Sequence, residues 1–495
     1  MQKFFKKYWF TFSIIFILIL SITLRFYNYP NRWGLSYDQA HDVLSARGAI
    51  QLHKLPILGP FSSAGAFVTG PEWYWFIIIG ILLYYPAVIA PWTLLTALFI
   101  VAVFVMIKTG ELLNGKLFGL LLGLLTAVSS SEIAQSINLT NQAPLALLSV
   151  TCLFLVTKYF KTGKLQYVFF LGLAVGLGIV IHLQGVLLGS LLILIFLFRK
   201  FSFKHIVVCY IGFVIPFIPL ALFDLTHHFY NFGNMLQYYL HDQYKVSLAV
   251  LGRNWKNYII TFWPKAWSYV IGGNILSGSV LIIVSFTSIG YALYKKNISR
   301  IISIFILNFF IAFIFLRYTR TPLFDSYLMF LHAHILLIAA FGIWYLYRFN
   351  KFAGAALLIL IVICSLQKDI MEIKNASNKT ALQSQVWKQI LVDKYPNQKF
   401  AIYDYQYKTT AMSLPLSLFL DGTNKISNQG YKIGLVDIKT KMYNSHKKIW
   451  GADLGWQLVD LQSSSSAALN NSGWQLVTPQ QIYHTNQEWF VNKNL

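Results

Sequence analysis

Apolar runs free of Asp, Glu, Lys and Arg, long enough to cross a bilayer or nearly so, recur along the chain at 8–24, 73–107, 117–131, 143–157, 165–198, 206–223, 266–294, 301–316, 326–347 and 352–367. In hydrocarbon a backbone must satisfy its own hydrogen bonds, so such runs mean helices. They exclude an ordinary soluble fold, in keeping with a composition of 56% hydrophobic and 12% charged residues. The run 165–198 is too long for one crossing of a ~30 Å core at ~1.5 Å per residue, and His182-Leu-Gln-Gly185 supplies a polar turn within it. The chain is therefore expected to be an α-helical polytopic membrane protein of about eleven transmembrane helices.

Charge sets the orientation. The formal net charge is +23, from 40 Lys+Arg against 17 Asp+Glu, and most basic residues stand in short clusters beside apolar runs. That distribution is a topology signal and points to lipid headgroups and phosphate substrates as anionic partners, not to nucleic acid. Lys108/Lys116, Lys158/Lys161/Lys164, Arg199/Lys200/Lys204, Lys295/Lys296/Arg300 and Arg348/Lys351 are the expected cytoplasmic loops. Lys3, Lys6 and Lys7 precede a first run that lacks a cleavage site, which reads as a retained signal anchor with a cytoplasmic N-terminus. All of this agrees only if 73–107 makes one net crossing, with Trp73-Tyr-Trp75 at the interface. The segments 25–72, 129–142, 224–265 and 318–325 and the tail then lie on the extracytoplasmic side of the cell (inner/cytoplasmic) membrane. Cys152, Cys209 and Cys364 sit inside apolar runs without metal-ligand spacing.

Composition changes after 367. Residues 1–367 form the membrane module and 368–495 a small extracytoplasmic α/β domain, with helices near 380–394 and 408–420 and strand-like runs at Lys399–Tyr403 and Ile433–Val436. The tail carries no catalytic motif.

The first outer loop holds the most informative residues. Leu35-Ser-Tyr-Asp-Gln-Ala-His-Asp-Val-Leu reads as a helix opened by a capping box of Ser36 and Gln39. Asp38 and Asp42 then lie one turn apart on one face, with Asp38 in the first turn, where the helix dipole favours its ionised form. By spacing alone, Asp38 is a first-turn acid and Asp42 a partner for Arg47 or a solvated residue. The order of a signal anchor ending in Leu24-Arg-Phe-Tyr27, an Asp-bearing helix, Leu55-Pro-Ile-Leu-Gly-Pro60 and Gly70-Pro-Glu-Trp-Tyr-Trp75 resembles the start of the GT-C membrane glycosyltransferases. It is most similar to the bacterial branch related to protein O-mannosyltransferases and lipid A aminoarabinose transferases. Asp38 matches that family's loop Asp, Gln39 stands where a Glu is usual, and Thr69 where the lipid A branch commonly has Lys.

The resemblance implies sugar transfer, with inversion, from a polyprenyl-phosphate donor to a lipid, glycan or protein acceptor on the outer face. Asp38 and Asp42 are the implied catalytic pair. Lys54, Glu72, Tyr74, Arg253, Arg317, Arg320 and Tyr327 are the candidate substrate contacts, the cations for phosphate. Stacking on a sugar by Trp255, Trp263 or Trp267 is a further option. A divalent metal, if one is used, would fall to Asp38, Asp42 and Glu132, a set weakened by Gln39. His332 and His334 face different sides of one helix and read as core histidines. A transporter or flippase of lipid-linked sugars and a non-catalytic scaffold are the alternatives. Nearly charge-free spans argue against ion-coupled transport.

Overall fold

The computed structural model describes residues 2–85, 87–248, 251, 254–320, 325–406, 410–437, 447–448 and 456–488. Helix α1 (Gln2–Phe26) leads into a long loop that carries α2 (Tyr37–Leu52) and α3 (Glu72–Leu83). Then come α4 (Ala90–Asn114), α5 (Lys116–Ala127), α6 (Ser130–Ser136), α7 (Pro144–Thr162), α8 (Leu165–Ile181), a 3-10 turn Leu183–Gly189 continuing into α9 (Ser190–Phe198), and α10 (Phe203–Val214) running on into α11 (Ile218–Thr226). Outer-loop helices α12 (Tyr230–Leu240), α13 (Trp255–Asn257) and α14 (Trp263–Val270) precede α15 (Ile275–Tyr294), α16 (Arg300–Tyr318), α17 (Met329–Phe349) and α18 (Lys351–Asn375).

Eight spans are long and apolar enough to cross a membrane, and α5 with α6 makes a ninth, bent by 58°. The shorter helices α8 and α9 form a hairpin between the same two ends, which brings the traverses among the described residues to eleven. The hairpin turns where expected, at His182. It can close because Gly185 lies on Gly178, where an added Cβ would fall 2.2 Å from the carbonyl.

The basic loops gather at one end. Lys108 and Lys116 both lie over the Phe10 ring near the start of α1, and Arg199 stacks on Tyr159 and donates to its carbonyl. The described residues of the first loop, the 227–270 segment and the tail occupy the opposite end, joined through Gln51–Asp421, Val68–Asn231 and Ser129–Val270.

Two apolar runs are divided differently from their sequence. Within 73–107 only α4 crosses. Helix α3 starts beside α2 and ends beside it, with Tyr85 under the Arg47 guanidinium at 5.1 Å and Gly80 against Pro91. Its exposed Ile79, Leu82 and Leu83 suit a helix lying along the bilayer surface. The single net crossing is thus achieved by a surface helix followed by a full span. The run 266–294 breaks at Gly272 (φ 111°) and Gly273 (φ 74°), left-handed conformations open to glycine at no steric cost. Gly273 also meets the Cys364 backbone, where a Cβ would sit 2.2 Å from the carbonyl oxygen. Helix α15 alone spans, and α14 stays at the loop end.

Helix α18 continues past residue 367 and delivers the chain to the tail: α19 (Lys379–Lys394), β1 (Phe400–Tyr405), α20 (Thr410–Asp421), β2 (Tyr431–Asp437), β3 (Lys447–Lys448), β4 (Trp456–Asp460), α21 (Ser466–Asn471), β5 (Trp474–Leu476) and α22 (Pro479–Glu488). The strands form one sheet in the order β3-β4-β2-β1-β5, parallel between β1 and β2 and antiparallel elsewhere. The tail does not hang free. Trp387, Phe400, Ile433 and Ile482 belong to the same buried apolar cluster as the spans.

Candidate active site

Helix α2 begins as its capping box dictates. The Ser36 backbone N–H donates to Gln39 Oε1 at 3.0 Å, and the Gln39 amide in turn donates to Asn138 Oδ1 at 2.8 Å. The residue that replaces an acid therefore ties the first loop to the turn after α6, a contact supported by the bridge between Gly34 and Asn138.

The two aspartates have different surroundings. Asp42 is buried. Trp73 Nε1 donates to its Oδ2 at 2.7 Å, the Tyr74 hydroxyl reaches Oδ1 at 3.4 Å, and His41 Nδ1 lies 3.2 Å from the same oxygen. Those contacts anchor α3 to α2. Asp38, one turn nearer the helix start, is exposed and makes no hydrogen bond among the described residues. Partial loss of water, then the neighbouring Asp42 charge, hold its carboxyl above the ordinary value, while His41 acts the other way. One acid is committed to the scaffold and the other is open to a reactant.

Arg47 is not the partner of Asp42. It faces away and pairs with Asp421 at 2.8 Å, both fully withdrawn from water. A pair separated by so much sequence leaves no local signal. The buried role of Asp42 had one: a run of Glu-Trp-Tyr-Trp at a helix start offers an indole N–H that needs an acceptor when buried.

Among the expected substrate contacts, Tyr74 is fully buried with its hydroxyl on Asp42, so it supports the site and does not line it. Glu72 is buried too, with neither carboxylate oxygen hydrogen-bonded to another described residue. Burial pushes its carboxyl up to about 7, with its own backbone N–H opposing. Lys54 is exposed beyond the far end of α2, on the order of 24 Å from Asp38 by helix rise. The Tyr327 ring lies tilted beside that of His182, with ring centroids 6.1 Å apart. Arg253 lies outside the described residues.

Arg317 has the setting of an anion site. Its guanidinium is buried over the Trp255 ring at 5.2 Å and beside Tyr318 at 5.6 Å, and Nε and Nη1 have no hydrogen-bond partner among the described residues. Arg320 lies over Tyr244 at 5.4 Å and donates to the Val246 carbonyl at 3.2 Å. Trp263 and Trp267 are buried and unsuited to stacking on a sugar, whereas Trp255 is exposed. The cations stand at the end of α16 and the acids on α2, and among the described residues no direct contact joins them.

Glu132 is drawn elsewhere. Its Oε1 meets His332 Nδ1 at 2.9 Å, both buried, with Ser131 Oγ at 3.4 Å from the same nitrogen. His334 is a core histidine on Ser149 and the Phe305 ring. Arg25 and Asp369 are buried close by, so the outer ends of the spans are more polar inside than their sequences suggest. With Asp42 held by Trp73, Glu132 by His332 and Gln39 neutral, the implied metal ligands are not assembled. No group of three His, Cys, Asp or Glu among the described residues could hold an ion.

No protein-family model and no curated protein matches the chain. Solved structures do. ArnT from Cupriavidus metallidurans bound to undecaprenyl phosphate aligns with a TM-score of 0.64 at 10% identity, over 92% of this chain and 98% of that one. Its apo state gives 0.62 at 10% identity, over 91% and 97%. The archaeal oligosaccharyltransferase AglB from Archaeoglobus fulgidus, in complex with an inhibitory peptide and a dolichol-phosphate, gives 0.50 at 13% identity, over 98% and 78%. The chain has a GT-C fold.

Proposed function

We propose that this protein with a GT-C fold is a membrane glycosyltransferase that moves a sugar from a polyprenyl-phosphate donor to a lipid, glycan or protein acceptor. The observation that carries the reading is the contrast between the two aspartates of α2: Asp42 fixed by Trp73 and Tyr74, and Asp38 beside it open to solvent. The polyprenyl phosphates bound by ArnT and AglB support the donor class.

In the reaction, the acceptor hydroxyl attacks the anomeric carbon while the bond from that carbon to the phosphate oxygen breaks. The electron pair leaves with the phosphate, the acceptor proton passes to Asp38, and a single displacement inverts the carbon. Arg317, with two nitrogens, Nε and Nη1, unmatched among the described residues, takes up charge on the departing phosphate, and Arg320 assists. The exposed Ile79, Leu82 and Leu83 of α3 offer an apolar surface for the lipid chain of the donor. By the positive-inside rule the basic-loop end faces the cytoplasm, and transfer takes place on the other side. No step is assigned to a metal.

The test is single-turnover transfer by the purified protein with a panel of polyprenyl-phosphate sugars and a membrane extract as acceptor. Asp38→Asn should lower the rate by roughly 10²–10⁴-fold, the range for losing a general base. Arg317→Gln should raise the donor concentration needed for half-maximal rate. Asp38→Asn transferring at the unmodified rate would remove it from catalysis. An unmodified protein that transfers nothing across the panel would move the reading to lipid-linked sugar transport.

A further inference from the structure

The tail reaches the candidate site from behind. Asp38 and Arg47 are nine residues apart on α2, as are Asp42 and Gln51, which is two and a half turns at ~3.6 residues per turn. The acids and the Arg47/Gln51 pair therefore occupy opposite faces of one helix. The acid face is held by α3 through Trp73 and Tyr74. The other face is held by the tail. Asp421, at the end of α20, accepts from Arg47 Nη1 at 2.8 Å and from Gln51 Nε2 at 2.7 Å, so both carboxylate oxygens grip α2 one turn apart. Pro479, at the start of α22, lies so near Gly48 that a Cβ there would fall 2.2 Å from its carbonyl oxygen. Further along α22, Gln487 accepts from the Ile57 and Leu58 backbone N–H groups at 3.0 Å and donates to the Leu58 carbonyl at 2.8 Å. Asn486, fully buried, stands beside the Tyr74 hydroxyl. Helix α22 thus touches α2, the segment after it and the residue that supports Asp42.

We infer that α20 and α22 of the tail are positioning elements that fix the rotation and height of α2, so that Asp38 is presented to the reactants in one register. Asp421, Gln487, Arg47 and Gly48 are the positioning residues. The catalytic consequence rests on the proposed transferase function; the mechanical claim does not. A turn of α2 by one residue, 100°, would carry a side-chain tip on a ~5 Å radius through about 8 Å. A misplacement of ~1 Å is enough to cost about 10²-fold in rate. Removing one partner of a buried ion pair leaves the other charged and unmatched, which gives the helix a reason to move.

The experiment uses the full chain in a background without its three cysteines, reconstituted in lipid bilayers. Asp38→Cys serves as the reporter, read by its rate of modification with a water-soluble maleimide, and transfer is measured separately in the Asp38 protein. Arg47→Asp or Asp421→Arg alone should change the modification rate by about tenfold and lower transfer by about 10²-fold, with the donor concentration for half-maximal rate unchanged. The two reversals together should restore both readouts. Single reversals that melt cooperatively and label at the unmodified rate would overturn the inference, as would a double reversal that behaves like the singles. If the single reversals do not fold, Gly48→Ala takes their place. It pushes α22 away without changing charge and should alter labelling in the same direction, and unaltered labelling would again overturn the inference. Should no donor support transfer in the unmodified protein, the labelling still decides the clamp, and only the functional reading fails.

Discussion

Glu72 and Asp38 are both carboxyls displaced upward, each first by loss of water and Asp38 further by the neighbouring Asp42 charge. Glu72 is raised by burial from 4.5 to about 7. An acid whose folded value exceeds its unfolded value binds protons more tightly when folded, so stability is greatest at low pH, declines as pH rises from about 4.5 to about 7, and is flat above. At about 1.4 kcal/mol per unit, the loss across that window is on the order of 3 kcal/mol. Glu72→Gln keeps the shape and removes the titration. Melting temperatures recorded from pH 5 to 8 should fall with pH in the unmodified protein more than in the variant, with the variant the more stable at pH 8. Equal slopes would show that Glu72 is ionised at a lower pH than its burial implies. Asp38 must be ionised to accept a proton. Because its carboxyl lies above the ordinary value, the acid limb of the transfer rate should begin at a higher pH than for a free aspartate, and it should vanish in Asp38→Asn. The capping box could be read from spacing along a few turns of chain, whereas Asp38 stood out, and Gly70–Tyr74 was placed, through the family resemblance. The fates of Arg47 and Glu132 could not be read locally, because each is settled by a partner brought from another element, Asp421 and His332, and the buried role of Asp42 was signalled only by the Glu-Trp-Tyr-Trp run that supplies its partner Trp73.

Periodicity and charge were enough to find every span, because in a bilayer the solvent penalises any unpaired backbone and leaves few alternatives. They did not show where an apolar run leaves the membrane. Helix α3 is as apolar as the spanning segments, and Pro91 against Gly80 and the left-handed Gly272-Gly273 pair mark where α3 and α14 part from the spans that follow them. The hairpin of α8 and α9 was legible, since a polar turn interrupted an overlong run, but its closeness is a matter of glycine. Gly185→Ala places a Cβ 2.2 Å from the Gly178 carbonyl, which is backbone and cannot swing aside. The hairpin must splay, separating Val180 from the Gly70 N–H that it accepts at 2.6 Å and thereby loosening the approach to α3. Overpacking of this kind costs about 1–3 kcal/mol. A melting curve should fall accordingly for Gly185→Ala, whereas Gly189→Ala, with open space around its Cβ position, should be close to neutral.

Across the whole molecule, an odd number of traverses separates the two termini, so the tail shares an end with the first loop and its contacts with α2 are possible at all. The parity depends on α3 not crossing. If the run 73–107 crossed twice, every later basic loop would change sides and the tail would be parted from Arg47, contrary to the Arg47–Asp421 pair. Side-specific cysteine labelling in sealed cells checks this directly. Lys54→Cys and Lys394→Cys, both exposed and at the tail end, should react with a membrane-impermeant maleimide added outside. Lys161→Cys and Lys296→Cys, exposed at the basic end, should react only after permeabilisation. Labelling of Lys54→Cys and Lys161→Cys from the same side would break the one-crossing topology. Labelling of all four in the reverse sense would keep the fold and turn it over, putting Asp38 on the cytoplasmic face and the proposed site of transfer with it.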